Sequence, residues 1–289
     1  MKTYLQCIPC FVKQALRAGQ MSTNDEHKIK ALMDRIGCRI KDITLEQTPP
    51  EMGLIIYDEI RKITGIEDPY KNEKKAHIEE AKRLYSKLKK KLQLSEDPLL
   101  MAVRIAIAGN VMDLGMDKKF HIENDLEHIL QRDFAICDID EFRDKLNKAE
   151  HILYLGDNAG ESVFDKILIE TLAKPVTYVV RGRAIINDVT EEDAIDSGLD
   201  EVAEIISSGS PAPATILDLC NEDFLKRFKR ADMIISKGQG NYEGLSDTNR
   251  PVFFLLKAKC PVIAGDIGVK EDDIVLLSAQ KNTQGEISL

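Results

Sequence analysis

The sequence predicts an α/β protein: a three-layer α/β/α core with a mostly parallel sheet, carrying an N-terminal helical domain. Three observations predict it. Residues 1–148 read as helical throughout, with helix start and stop signals in place. Residues 149–289 alternate short apolar strands with helical stretches. The strands are apolar almost continuously rather than at every second position, which is how strands covered on both faces read. The division expected is therefore 1–148, helical, and 149–289, α/β.

In the first part, "PPEMGLIIYDEIRKITG" places Pro50 near a helix start and Gly65 just past its end. Proline fits the first helical turn and glycine the residue beyond the last. The next helix, "PYKNEKKAHIEEAKRLYSKLKKKLQ", has nine Lys/Arg and three Asp/Glu between Lys71 and Lys91. Either it is a solvated helix face or a surface that attracts anions. "DPLLMAVRIAIAGNVMDLG" is a strongly apolar helix closed by Gly115, with Asn110 and Asp113 three residues apart on one face. Burying such groups needs partners, so this face is a candidate to close over a site.

In the second part "HILYLG", "VTYVVRG", "AEIISSG", "DMIISKG" and "VFFLLKA" are strands, with "CPVIAG" and "DIVLL" as further candidates. Composition is that of an ordinary folded chain, 43% hydrophobic and 31% charged over 289 residues. A net charge of -9 gives no general attraction to nucleic acid or acidic membranes. With no membrane-spanning run or leader pattern, the expected location is cytoplasmic. Six cysteines are no disulfide framework here. Cys38, Cys137, Cys220 and Cys260 read as buried reduced thiols. Cys7 and Cys10, in "CIPC", read as a reduced structural pair, because no second Cys/His pair completes a zinc site.

Ligands of open α/β sheets bind beyond the carboxyl ends of the strands. This chain sets Asp157 and Asn158 after the first strand, Asn187 and Asp188 after the second, Ser207, Ser208 and Gly209 after the third, and Lys237 with "GQGN" after the fourth. Asp157, Asn158 and Asp188 offer hard oxygen ligands suited to Mg²⁺ or Mn²⁺. The competing reading makes Asp157 and Asn158 a cap and turn, and Asp188 the cap of the helix "TEEDA". In "SKGQGN", Gly238, Gly240 and Asn241 let backbone N–H groups approach an anion whose charge Lys237 neutralises. The loop is not a Walker A sequence.

Taken in order, "CxPC", "AGNVMDLG", "GDNAGE", "NDVT" and "SKGQGNYEGL" resemble the family once called domain of unknown function 89, now the damage-control phosphatases. The "CxPC" opening is similar to its prokaryotic and archaeal branch. The resemblance implies a three-layer α/β core and a divalent metal on Asp157, Asn158 and Asp188, with Mg²⁺ or Mn²⁺ expected and Ni²⁺ or Co²⁺ as alternatives. It implies Asn110 around the substrate, Lys237 on the phosphate, and Glu161 beside the metal pair, supporting it or orienting water; Glu161, Ser208, Gly238, Gly240 and Asn241 are the further candidates for contact with substrate. The implied partners are small phosphorylated metabolites, sugar phosphates or phosphopantetheine-type compounds. "SSGSPAPAT" departs from the pattern, since a glycine is expected near Ala214. Water activated by the metal is the expected nucleophile. Two rival readings are an S-adenosylmethionine-dependent methyltransferase, from the glycine-bearing "YLGDNAGES", and a non-catalytic metabolite-binding protein.

Overall fold

The structure, a computed structural model, describes residues 1–110 and 122–279. Asp113 and Gly115 lie outside the described residues. Helices α1 (Cys7–Ser22), α2 (Glu26–Ile40) and α3 (Pro49–Thr64) open the chain and share one apolar cluster that includes Phe11, Leu32, Met52 and Ile60. The punctuation of α3 is as expected. Thr48 and Glu51 form a capping box at its start, and Gly65, at φ 72°, takes the left-handed conformation that ends it.

α4 (Lys71–Gln93) and α5 (Pro98–Ala108) do not stand apart with these three. Together with α6 (Ile122–Gln131) they bury Ile78, Leu84, Val103, Ile107 and Leu130 in the cluster that covers one face of the sheet. The packing therefore runs continuously across residue 148. The lysines of α4 are largely consumed locally: Lys71 pairs with Glu192, Lys82 with Glu79, Lys89 with Glu170 and Lys91 with Glu127. This is the solvated, ion-paired face of the two readings.

Beyond α6 the chain forms β1 (Phe134–Cys137), α7 (Ile139–Lys148), β2 (Ile152–Leu155), α8 (Ser162–Leu172), β3 (Val176–Val180), α9 (Glu191–Asp196) and β4 (Glu204–Ser207). It continues through α10 (Glu222–Arg230), β5 (Met233–Lys237), α11 (Gly238–Leu245), β6 (Val252–Lys257), α12 (Pro261–Ile267) and β7 (Ile274–Ala279). The first 148 residues are thus not helical throughout. Four residues with no turn signal around them, "FAIC", form β1 because β7 offers an open edge to pair with. "CPVIAG" is helix rather than strand: Pro261 sits in the first turn of α12, where its missing N–H costs nothing.

The sheet order is β1-β7-β6-β5-β2-β3-β4, parallel except for the antiparallel β6–β7 pair. Side chains alternate between two cores. Ile152, Tyr154, Val176 and Ile235 face the helices from α4 to α8, while Leu153, Leu155, Val179 and Ile234 face α10 to α12. From β2 the chain moves outward to β3 and β4, then returns to lay β5 on the other side of β2. A crevice opens where strand order reverses in this way. No helix among the described residues is long and apolar enough to cross a membrane.

Phe142, fully buried on α7, meets Phe253 of β6 edge-on at 5.1 Å between ring centroids. Phe142→Ala is expected to lower stability by about 3–5 kcal/mol in denaturant titration, the usual cost of deleting a buried aromatic ring. A loss below about 1 kcal/mol would mean that α7 is not docked on the sheet.

Candidate active site

The reversal between β2 and β5 is where the predicted residues gather. β2 runs out at Leu155 and the chain turns through Gly156 into Asp157 and Asn158. These meet the segment that follows β3. Val189 N–H donates to the Asp157 carbonyl at 2.8 Å, Ala159 N–H donates to the Asn187 carbonyl at 2.9 Å, and Asn158 and Asp188 form an antiparallel bridge. Backbone pairing thus holds two separate loops face to face and brings Asp157, Asn158 and Asp188 together. None of the three caps a helix. The residue before α8 is Glu161, and the capping box of α9 belongs to Thr190 and Asp193.

The site is deeply buried: Asp157, Asn158 and Asp188 are 6%, 4% and 3% exposed, and Glu161 is fully enclosed. Arg181, at the end of β3 and 2% exposed, donates from Nε to Asp188 at 2.6 Å and places Nη2 3.7 Å from Asp157. On the opposite side, Lys237 donates to Asp165 at 2.7 Å, to the Ala106 carbonyl at 2.8 Å and to Glu161 at 3.3 Å. Asp165 also accepts from the hydroxyls of Tyr154 and Tyr178. The amide nitrogen of Asn110 donates to Glu161. That of Asn158 donates to Asp157 at 3.2 Å and to Glu161 at 3.4 Å.

Charge is the distinctive property. Four buried carboxylates, Asp157, Glu161, Asp165 and Asp188, face two buried cations, Arg181 and Lys237. Carboxyl groups outnumber the fully buried cations, and Lys259, half-buried, adds its charge near Asp157. Burial first, then Glu161 and Asp188, push the Asp157 carboxyl well above the ordinary carboxylate range, with Lys259 and Arg181 pulling weakly the other way. Burial disfavours the Lys237 charge, but Asp165 and Glu161 outweigh it and hold the ammonium above its ordinary value. Two carboxylates and an amide oxygen beside further buried carboxyl groups are a donor set that fits a hard divalent cation. Asp157 and Asp188 supply two acids, and among the described residues no group of three His, Cys, Asp or Glu stands ready as a metal cluster.

Residues 3–275 match the damage-control phosphatase ARMT1-like domain. The chain belongs to that family. A damage-control phosphatase of Pyrococcus horikoshii is 34% identical over 96% of this chain and 98% of that protein. One of Archaeoglobus fulgidus is 32% identical over 95% and 98%. An uncharacterised protein of Methanocaldococcus jannaschii is 36% identical over 94% of each. The crystal structure of a DUF89 family protein of P. horikoshii superposes with a TM-score of 0.88 at 34% identity, covering 96% of this chain and 99% of that one. Family and fold agree with the resemblance read from the motifs.

Within this damage-control phosphatase fold, several of the expected site residues have internal partners. Lys237 was expected to neutralise phosphate, yet its ammonium points at Asp165, Glu161 and the Ala106 carbonyl. Its three N–H donors are matched by three acceptors, leaving it a counter-charge beneath the site. Asn241 is likewise internal: it donates to the Gly156 and Lys237 carbonyls and accepts from Thr215 N–H, tying α11 to β2. The Ser208 hydroxyl accepts from Ser210 N–H in the turn after β4. Gly240 lets α11 approach the Pro213 carbonyl, so the departing loop "SSGSPAPAT" packs on that helix. Gly238 is a different matter. At φ 78° it lies so close to Asp157 that an added Cβ would fall 1.8 Å from the carboxylate, a position only glycine can hold. Gly156 serves packing, because a Cβ there would strike the Tyr178 hydroxyl at 2.5 Å. That contact accounts for the glycine on which the methyltransferase reading rested.

Sequence reading missed Arg181, Asp165 and Lys259. Arg181 stands at a strand end as Lys237 does, and Asp165 lies one helical turn after Glu161, on the same helix face; both signals were legible. Lys259, half-buried beyond β6, carried none. All six cysteines are free; Cys38 and Cys137 are exposed and Cys220 and Cys260 half-buried, so none of these four is buried as expected.

Lys237→Met is expected to cost about 3–5 kcal/mol of stability, because it strands Glu161 and Asp165 as uncompensated buried charges. Thermal and denaturant unfolding check this. Wild-type stability in the variant would show that Lys237 is not the buried counter-charge.

Proposed function

We propose that this protein is a divalent-metal-dependent phosphatase that hydrolyses phosphate monoesters of small metabolites. One observation carries the reading: Asp157, Asn158 and Asp188 converge at the sheet's reversal point among four buried carboxyl groups. Crowded carboxyl groups in apolar surroundings favour a bound cation. All-oxygen donors favour Mg²⁺ or Mn²⁺, with Ni²⁺ or Co²⁺ as alternatives. Bound there, the ion would neutralise phosphoryl oxygens and activate water.

The chain's own groups divide the remaining work. Arg181 holds the Asp188 carboxylate by its Nε–H, and Gly238 fixes the space beside Asp157. Lys237, Asn110 and Asn158 hydrogen-bond to Glu161 and fix its orientation. Glu161, next to the metal-binding residues, would orient the attacking water, whose two protons end on the phosphate and on the leaving alcohol oxygen as the ester P–O bond breaks. Lys259 takes the phosphate-neutralising role, since its charge already acts on Asp157 and no step requires it to remain buried. Sugar phosphates and phosphopantetheine-type compounds are the substrate classes we favour; the relatives' names support a damage-control phosphatase.

Asp188→Asn is expected to abolish turnover of sugar phosphates and to weaken Mn²⁺ binding while the fold persists. Full activity with undiminished metal affinity would remove Asp188 from the site. Mn²⁺ affinity should also rise with pH. The raised Asp157 carboxyl must lose its proton to bind metal, so the proton competes up through a range above the ordinary value of ~3.9. Calorimetry in buffers of differing ionisation enthalpy should detect the released proton.

Lys259→Ala is expected to lower kcat/KM by about 2–4 kcal/mol with Mn²⁺ affinity little changed. Unaltered kinetics would exclude it from phosphate neutralisation.

A further inference from the structure

The loop that carries Asp188 is held mainly from outside the sheet. Ile185 is buried in the cluster formed by α1–α3, and Ile186 packs against it with φ 46°, a left-handed conformation that a β-branched residue adopts only under constraint. On the other side of Asp188, Thr190 donates from both its backbone N–H (2.9 Å) and its hydroxyl (2.6 Å) to Asp193 Oδ2. That same oxygen accepts from Lys74 at 2.7 Å. Lys74 lies in the first turn of α4, is 2% exposed, and is held from behind by Asp68 at 2.8 Å.

An ammonium so deeply buried between two carboxylates is costly to assemble and costly to break. Its position explains the expense. The Lys74–Asp193 contact joins residues 119 apart in the chain, and Asp193 fixes Thr190, two residues from Asp188. Asp188 itself receives Nε–H of Arg181, while Val189 pairs with Asp157. A shift of Thr190 therefore moves the carboxylate of one strand end relative to that of the other.

We propose that Lys74 is a positioning residue for the metal site: its ion pair with Asp193 clamps the Ile185–Thr190 loop and sets Asp188 opposite Asp157 and Asn158. The inference rests on the metal-dependent reading above and extends it to a residue in the helical part. It makes metal binding depend on the Lys74 contact at the start of α4. Partners that orient metal ligands commonly contribute ten- to a hundredfold in affinity.

The test measures Mn²⁺ binding alone, by calorimetry on the full chain, at a temperature where every variant is folded. Lys74→Met is expected to weaken Mn²⁺ binding by about tenfold or more. Asp193→Asn should do likewise, and the double variant should bind no more weakly than the weaker single variant, because both break one contact. Leu88→Ala, which removes a buried side chain elsewhere on α4, serves as control. It should lower the melting temperature and leave Mn²⁺ affinity within about twofold. If Lys74→Met does not fold, Asp193→Asn alone decides. Mn²⁺ affinity within twofold of wild type in the folded clamp variants would overturn the clamp while leaving the metal reading standing. Failure of the wild type to bind Mn²⁺ would overturn both.

Discussion

Burying four carboxylates at one end of a sheet is the constraint on which this structure turns. Asp157, Glu161, Asp165 and Asp188 sit where apolar strands leave little water to screen them. Two are balanced from within, by Lys237 below and Arg181 beside them. The rest of the architecture is arranged to hold the imbalance in place: β2 and β5 diverge to open the crevice, α11 begins with a glycine to let Asp157 in, and two loops pair through their backbones. Such a concentration of like charge weakens a fold unless a ligand answers it, and the proposed divalent ion is that answer.

The fold was legible where periodicity and punctuation were strong. Five apolar strands, the capped helix α3 and the switch-point location of the site could all be read directly from residues. β1 was not, because "FAIC" becomes a strand only by pairing with β7, a partner 140 residues away whose presence no local pattern announces. "CPVIAG" looks apolar enough for a strand, but Pro261 suits a helix start and Cys260 precedes it in extended backbone. The place of α4 and α5 against the sheet was equally hidden, since an amphipathic helix shows that it packs, not upon what.

At the site, residue types were easier to read than directions. Asp157, Asn158 and Asp188 could be selected as a set because each ends a strand. Lys237 shares that position, and position alone suggested a substrate-facing cation. The alternation of β5 decides otherwise: Lys237 follows Met233 and Ile235 onto the face of α5 and α8, where Asp165 waits. Arg181 follows Val179 onto the opposite face. Two cations at the strand ends on either side of β2 thus enter the site from two sides of the sheet, an arrangement that strand parity contains but that strand ends alone do not reveal. The helical part contributes in the same indirect way, through Ile185, Ile186 and Lys74, none of which resembles a site residue in the sequence.

The central claim is that the crowd of buried carboxyl groups is met by one divalent ion held by Asp157, Asn158 and Asp188. Anomalous diffraction from crystals soaked in Mn²⁺ tests it most directly. The account predicts a single strong anomalous peak per chain, within about 2.0–2.6 Å of oxygens from all three residues. A peak beside Cys7 and Cys10 instead, or none between the ends of β2 and β3, would contradict it.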